Sequence, residues 1–551
     1  MEIKEVIRKN AIINAYLHNG RADVNSVISK LIAEIPEVKQ RIKEIIGEVK
    51  KIVEEVNKLS FKEIEEEAKK FEFRKKEEKR ELPDLPNAEI GKVVMRLAPY
   101  PSGPLHIGNA RMVILNDEYV KKYNGKLILF FDDTIGSEEK PIEKEAYEMI
   151  IEDLKWLNVN YSEIYYKSDR LEIYYKYAEE VIKKGFAYVC TCSKEEIRRN
   201  RKFGIECKCR NRNVEENLIL WKKMFDEFKE GEAVLRIKTD MKHKDPAFRD
   251  RVIFRISERE HPRVGKKYRV WPLLEFSWAV DDYLIGTTHI LRGKQLVIED
   301  TMQEYIWKIL NIKPVHFIHY GMMKIAEEGS KLSKSKCREL IKKGELIGWE
   351  DPRTWSLISL RKRGIKPEAI RKFILNMGLS LADVTVAAEI LYAENRKIID
   401  KEAMRYFLVK DPIEIEVENF DKNIREVLIP LHPEVKEKVR KIEIKYNKFF
   451  IEREDYLKNK GNRIGFIGLG SFLIKENYKA EFLTKEIFYE DQKIQWLNRD
   501  FVEVKILMPN GKIIKAIAEK NVESVKYDEI VQFIRFGFCR KDKEIFFFSH
   551  T

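Results

Sequence analysis

A chain of 551 residues is too long for one hydrophobic core and requires about three to five domains. Its 105 Lys and Arg against 92 Asp and Glu give a formal charge of +13 spread along the whole length, which favours a polyanionic partner without specifying one. The N-terminus, MEIKEVIRKNAIINAYLHNG, has no uninterrupted apolar h-region, and no charge-free apolar stretch is long enough to span a bilayer, so a cytoplasmic location is expected.

From residue 1 to about 80 the pattern is helical. Ile42, Ile45, Ile46, Val49, Ile52, Val53 and Val56 recur at three-to-four spacing between charges, the mark of an amphipathic bundle. Leu82-Pro-Asp-Leu-Pro86 breaks any helix and places a linker near 80–88. At Val93 the grammar changes to a buried strand, a Pro/Gly loop, a helix from about His106 to Tyr123 stopped by Asn124-Gly125, and a second strand over Lys126 to Phe131. Such a βαβ unit predicts a parallel sheet. A further helix is expected from about Glu143 to Leu157, then an insertion over about 186–270. Apolar residues return at Trp271 to Val280, and Tyr283 to Leu291 reads as another strand. Residues 340–410 are helical in pattern, with Leu357, Leu360, Ile365, Ile370 and Ile374 as core positions. Beyond 410 short alternating strands take over, with Asn510-Gly511 as a hairpin turn and barrels the expected form.

Two segments carry chemistry. In Pro99-Tyr-Pro-Ser-Gly-Pro-Leu-His106-Ile-Gly108-Asn109, between strand and helix, Gly103 and Gly108 let backbone approach a nucleotide. The helix N-terminus attracts phosphate, and His106 can donate to a phosphate oxygen. Far downstream, Lys331-Leu-Ser-Lys334-Ser335 sets two lysines and two hydroxyls where they suit a triphosphate and a leaving pyrophosphate. Either segment alone is a weak signal, but their order and context make the pair specific.

Together they resemble the HIGH and KMSKS signatures of class I aminoacyl-tRNA synthetases. Arg96-Leu-Ala-Pro-Tyr-Pro-Ser-Gly-Pro-Leu-His-Ile-Gly, Phe131-Asp132-Asp133-Thr134, Val280-Asp-Asp-Tyr-Leu-Ile-Gly-Thr-Thr-His-Ile-Leu-Arg292-Gly-Lys and Gly348-Trp-Glu-Asp-Pro-Arg353 further resemble landmarks of the glutamyl and glutaminyl branch. The helical start and β-rich end are similar to archaeal glutamyl members. The resemblance implies a Rossmann-like α/β catalytic domain and a two-step reaction: glutamate attacks ATP, held with Mg²⁺, to give glutamyl-adenylate, which then acylates the terminal adenosine of tRNA(Glu), or also of tRNA(Gln). It implies an ATP set of Pro99, His106, Gly108, Asn109, Lys331, Ser333, Lys334 and Ser335, with His106, Asn109, Lys331 and Lys334 supporting the phosphates. The glutamate set is Arg96 for the α-carboxylate, Asp132 for the ammonium, Arg292 for the side-chain carboxylate, and Ser102 and Leu274. Arg292 favours glutamate over the glutaminyl alternative, and retained His106, Lys331 and Lys334 disfavour a non-catalytic tRNA-binding paralogue. Asn109, Phe130, Leu274 and Gln295 depart from the family pattern.

Cys190-Thr-Cys192 and Cys207-Lys-Cys209 form two close pairs about a helix-like Ser193 to Lys202, consistent with a tetrahedral structural zinc. Basic clusters at Arg198 to Lys202, Lys208 to Arg212 and Arg361-Lys-Arg363 are candidate tRNA contacts. The expected division is a helical domain over 1–85, catalytic halves over 89–185 and 271–335 flanking a cysteine-bearing acceptor-binding insertion over 186–270, a helical stem-contact domain over 336–405, and anticodon-binding β-barrels over 406–551, in a monomer.

Overall fold

The computed structural model describes residues 3–17, 20–35, 38, 42–71, 81–135, 141–326 and 333–551. Helices α1 (Ile3–Leu17), α2 (Val24–Glu34), α3 (Ile42–Val56) and α4 (Phe61–Ala68) pack around Ile7, Ile12, Val27, Leu31, Val49, Val53 and Ile64. Side chains seal their starts: Asp23 accepts from the Ser26 amide, and Ser60 and Glu63 cap one another reciprocally. Of the α3 stripe, Ile46 faces outward while Ile45, Val49, Ile52, Val53 and Val56 are buried. The linker is anchored. Leu82 and Leu85 enter the next core, and the Leu85 amide donates to the Tyr123 hydroxyl at 3.0 Å.

The next part of the chain opens with β1 (Val94–Leu97), α5 (Ile107–Lys122), β2 (Lys126–Phe131), α6 (Lys144–Trp156), β3 (Glu163–Tyr166) and α7 (Leu171–Lys183). β1, β2 and β3 pair in parallel in that order. An antiparallel four-stranded sheet follows, of β4 (Ala187–Cys190), β5 (Val234–Ile237), β6 (Val252–Ile256) and β7 (Val270–Pro272), with α8 (Lys194–Phe203) and α9 (Val214–Lys223) between its first two strands. The chain returns through α10 (Leu274–Leu284), β8 (His289–Gly293), α11 (Val297–Leu310) and β9 (His316–Tyr320). Tyr283 and Leu284 thus end a helix, and only His289 onward is strand. α10 is buried along one whole stretch, Glu275 to Asp282, so its sequence lacks the polar face that would have marked it as helix.

β8 pairs with β9 in parallel and lies beside β1, where the Thr288 amide donates to the Val94 carbonyl at 2.9 Å and the Val94 amide to Thr288 Oγ1 at 2.9 Å. The strand order is therefore β9-β8-β1-β2-β3. Succession moves outward one way from β1 and then the other way from β8, so the β1/β8 boundary is the topological switch point, where such sheets leave a crevice at the strand ends.

Beyond it lie β10 (Met323–Ala326), α12 (Lys334–Lys342), α13 (Leu357–Lys362), α14 (Pro367–Met377), β11 (Val384–Ala387) and α15 (Ala388–Ile399), with β10 and β11 paired in parallel. From Met404 to His550 the regular elements are strands, apart from Arg453–Lys458 and the turn Lys520–Ser524; they form a seven-stranded sheet, a six-stranded sheet and a separate hairpin. In the hairpin at Asn510-Gly511, only Gly511 has positive φ (+82°), and its amide donates back to the Met508 carbonyl. Pro509 and Asn510 occupy the corners, so the turn differs from the two-residue Asn-Gly form, which needs positive φ at both positions.

Candidate active site

The loop after β1 arrives at the crevice and ends on His106, which stands just before α5. His106 Nδ1 accepts from the amides of Gly108 (3.0 Å) and Asn109 (3.3 Å), and Asn109 Oδ1 accepts from the His106 amide at 3.2 Å. The pair is a reciprocal helix cap. This gives Asn109 a role that needs only an acceptor, and it fixes the imidazole tautomer: Nδ1 is an acceptor, so Nε2 carries the proton. Burial, with Lys334 nearby, holds the His106 pKa down to about 4, so the ring is a neutral donor at physiological pH. A Cβ on Gly108 would stand 2.8 Å from His106 Cε1, so the glycine is required by the ring above it.

Neighbouring segments brace this loop. The Ile107 amide donates to the Trp355 carbonyl (3.3 Å) and the Leu357 amide to the Leu105 carbonyl (2.8 Å). Gly103, at φ +121°, lies against the Trp349 ring, where a Cβ would approach to 2.7 Å. The landmark Gly348 to Arg353 thus acts as a backstop. Arg338 on α12 donates to the Ser102 carbonyl (2.7 Å) and pairs with Glu143. This docks α12 on the loop and brings Lys334, its first residue, to the His106 side. Lys334 is half-buried, and burial lowers its pKa to about 8 against the opposing pull of Asp153, whose own carboxyl burial raises to about 7. Ser333 caps α12 by accepting from the Lys336 amide and lies 3.1 Å from the Ser335 hydroxyl; both serines are exposed. Lys331 lies outside the described residues. Pro99 contributes its carbonyl, which accepts from the Asp132 amide at 3.0 Å.

At the strand ends, buried charges converge on the Trp278 indole. Arg96 pairs bidentately with Asp282, Nε to Oδ1 at 2.6 Å and Nη2 to Oδ2 at 2.9 Å, a pairing in which Nη1 takes no part. Gln303 donates to the same carboxylate at 2.5 Å. Arg292 lies between two rings, its guanidinium carbon 5.0 Å from the Trp278 centre and 4.8 Å from Phe317. One Nη is held by Asp300, itself 2.5 Å from His319 Nε2. Arg292 Nε and Nη1, and the Trp278 indole nitrogen, are buried without a hydrogen-bond partner among the described residues. A rigid guanidinium with unused donors beside an arginine at the end of β1 suits a dicarboxylate. Asp132 forms an ion pair with Lys167 at 2.7 Å. Leu274 starts α10, one turn before Ser277, and Phe130 stacks on Tyr165 beneath Arg170. Lys167, Trp278, Asp300 and Gln303 carry no motif and are placed here by the fold alone; Asp282 sat within a quoted landmark.

In the insertion, Cys190 ends β4 and Cys207 and Cys209 lie in a turn. The four sulfurs of Cys190, Cys192, Cys207 and Cys209 all fall within 4.8 Å of one another, with Cys190–Cys207 at 3.8 Å and Cys192–Cys209 at 4.0 Å. A tetrahedral ion with sulfur bonds of ~2.3 Å needs edges of about 3.8 Å. Arg236 Nη1 lies 3.7 and 3.6 Å from the Cys190 and Cys207 sulfurs, a partner suited to thiolates. Beside the cluster, a groove of about 870 Å³ is lined by Lys194, Arg198, Arg201, Lys202, Arg255 and Arg259 and reaches Leu273 at the start of α10. Of the Arg361-Lys-Arg363 cluster, Arg361 is exposed but Arg363 cannot face a phosphate. Arg363 is fully buried, donating to the Ser549 carbonyl (2.8 Å) and the Tyr392 hydroxyl (2.7 Å), and Lys362 pairs with Asp542; burial of the guanidinium is offset by carbonyls of the last strand.

The model of class I (E and Q) tRNA synthetase catalytic domains matches residues 92–401, and two models of the anticodon-binding domains of that family match 403–488 and 479–542. The chain is similar to the glutamate–tRNA ligases of Pyrococcus furiosus (46% identical, covering 98% of each chain), Thermococcus kodakarensis (44%, covering all of both) and Methanocaldococcus jannaschii (42%, covering 98% of each). The chain belongs to the class I tRNA synthetases, in their E and Q family. No helix among the described residues is long and apolar enough to cross a membrane.

Gly108→Ala would push the His106 ring off its amides. A displacement of that kind costs on the order of 10²-fold in rate, so aminoacylation is expected to fall by about that factor with the melting temperature little changed.

Proposed function

We propose that this chain is a glutamate–tRNA ligase: it activates glutamate with ATP and transfers the glutamyl group to the terminal adenosine of tRNA(Glu). The observation that carries the choice of glutamate is Arg292, clamped between Trp278 and Phe317 with two unused buried donors. Arg96 Nη1 receives the α-carboxylate and Asp132 the ammonium, with Ser102 and Leu274 completing the wall. The full-length likeness to glutamate–tRNA ligases supports the same reading.

A glutamate α-carboxylate oxygen bonds to the α-phosphorus of ATP as the bond to pyrophosphate breaks. A ribose hydroxyl of the tRNA then attacks the adenylate carbonyl, its proton leaves, and AMP departs. This chemistry depends on positioning and charge neutralisation. His106 Nε2–H donates to a phosphate oxygen, the amides at the start of α5 add their partial positive charge, and Lys334, with Lys331, neutralises the departing pyrophosphate. Asn109 holds the His106 backbone; Pro99, Gly108, Ser333 and Ser335 line the nucleotide. Mg²⁺ bound with ATP would supply further neutralisation of the phosphates. The groove of Lys194, Arg198, Arg201, Lys202, Arg255 and Arg259 leads the tRNA acceptor end toward α10, and the sheets beyond residue 403 take the anticodon.

Cys190, Cys192, Cys207 and Cys209 would hold one structural Zn²⁺, which would tie the turn after α8 to the end of β4. One zinc per chain is expected by elemental analysis. Cys209→Ser should lose it and make the 187–211 region protease-sensitive; metal-free wild-type protein, purified without chelators, would defeat the assignment.

In a charging assay with each amino acid, tRNA(Glu) is expected to accept glutamate, with tRNA(Gln) run in parallel as second acceptor. Preferential charging with glutamine would overturn the proposal. The lowered pKa of Lys334 means its positive charge is lost as pH rises through about 8, so kcat/KM for ATP should fall above that pH. Lys334→Arg should remove this alkaline fall.

A further inference from the structure

Lys167 belongs to no motif, yet its side chain is wholly buried at the end of β3. Its Nζ lies 2.7 Å from Asp132 Oδ1, donates to Ser277 Oγ at 2.7 Å, and stands 5.2 Å from the centre of the Trp278 ring. Arg96 and Arg292 sit 5.1 and 5.0 Å from the same ring. One indole therefore collects three cations, Arg96, Lys167 and Arg292, and the carboxylates paired to them are also three, Asp282, Asp132 and Asp300. Asp281, next to Asp282, is matched separately by Arg170 at 2.8 Å and the Tyr174 hydroxyl.

A buried ion pair is a poor stabiliser, because desolvation consumes most of the attraction, so packing alone does not account for a lysine here. The charge count supplies a reason. Bound glutamate has one ammonium and two carboxylates, a net charge of −1; glutamine is net neutral. With Lys167 the cluster of Lys, Arg and Asp is balanced; without it, Asp132 would leave the cluster at −1, repelling an anionic substrate but not a neutral one. We infer that Lys167 is a specificity-determining residue that acts through Asp132: it cancels a carboxylate needed to orient the ammonium, so that the pocket admits glutamate without a net negative field. A unit charge about 6 Å from the substrate at an effective dielectric constant of about 20 changes the preference on the order of tenfold to a hundredfold. This inference rests on the reading of the crevice as the glutamate site.

The test is the ratio of kcat/KM for glutamate over glutamine, measured by tRNA-dependent charging with the full chain. Lys167→Gln is expected to lower the ratio by at least about tenfold, chiefly by raising KM for glutamate. The double variant Asp132→Asn with Lys167→Gln restores the charge balance, and its ratio should return to within about threefold of wild type although both rates drop. Equal losses for the two amino acids in Lys167→Gln, as a merely structural lysine would give, overturn the inference. So does a double variant whose ratio stays as low as that of the single. If Lys167→Gln does not fold, Asp132→Asn alone decides: it leaves the cluster at +1 and should raise the ratio by about tenfold, and an unchanged ratio defeats the charge balance. Wild-type enzyme that prefers glutamine would instead defeat the underlying reading of the site.

Discussion

The bidentate pair between Arg96 and Asp282 is the constraint on which the catalytic half depends. It joins the end of β1 to α10 across the switch point, where hydrogen bonds between Thr288 and Val94 also hold the start of β8 against β1. Losing one partner of such a buried pair leaves a desolvated charge and costs about 3–5 kcal/mol. Gln303 and Thr287 share the Asp282 carboxylate, so the pair also fixes where α10 and α11 stand. Trp278 is one turn before Asp282 on α10, and its position decides where Arg292 and Lys167 point.

The His106 side of the crevice is built differently, from backbone more than from charge. His106 is oriented by two amides of its own helix, and that helix is seated by carbonyl and amide groups of Trp355, Leu105 and Leu357. Arg363 lies over the Trp355 ring, 5.6 Å from its centre, and reaches the carbonyls of Phe548 and Ser549, so the C-terminal strand packs against the segment that supports the signature loop. The His106 end and the far sheet thus share a continuous set of contacts, while the Trp278 end is governed by ion pairs within the crevice.

Much of this order was legible locally. The first strand, α5 and β2 follow from apolar runs punctuated by Pro, Gly and Asn124-Gly125, and His106 and Lys334, which the sequence offered as parts of one site, come close enough for the lysine charge to be felt at the imidazole. Tyr283–Leu284 misled because α10 is buried continuously from Glu275 to Asp282, with no alternation to mark a helix, and ends on the two exposed apolar residues Tyr283 and Leu284. Arg363 read as part of a phosphate patch because sequence records charge and not burial; it is in fact buried against the Ser549 carbonyl and the Tyr392 hydroxyl. Lys167 was invisible for the opposite reason, since a lysine in a chain with 105 Lys and Arg attracts no notice until its neighbours are known.

By itself the sequence determined the strand-loop-helix that presents His106, the capping partnership of His106 with Asn109, and the clustering of Cys190, Cys192, Cys207 and Cys209, because each is set by residues close together in the chain. Tertiary structure alone decided which charge meets which: Arg96 with Asp282, Arg292 with Asp300, and Lys167 with Asp132. Those pairs depend on strands brought side by side from distant parts of the chain, and the energy of a charge inside a protein depends on its desolvation and its partner rather than on residue type.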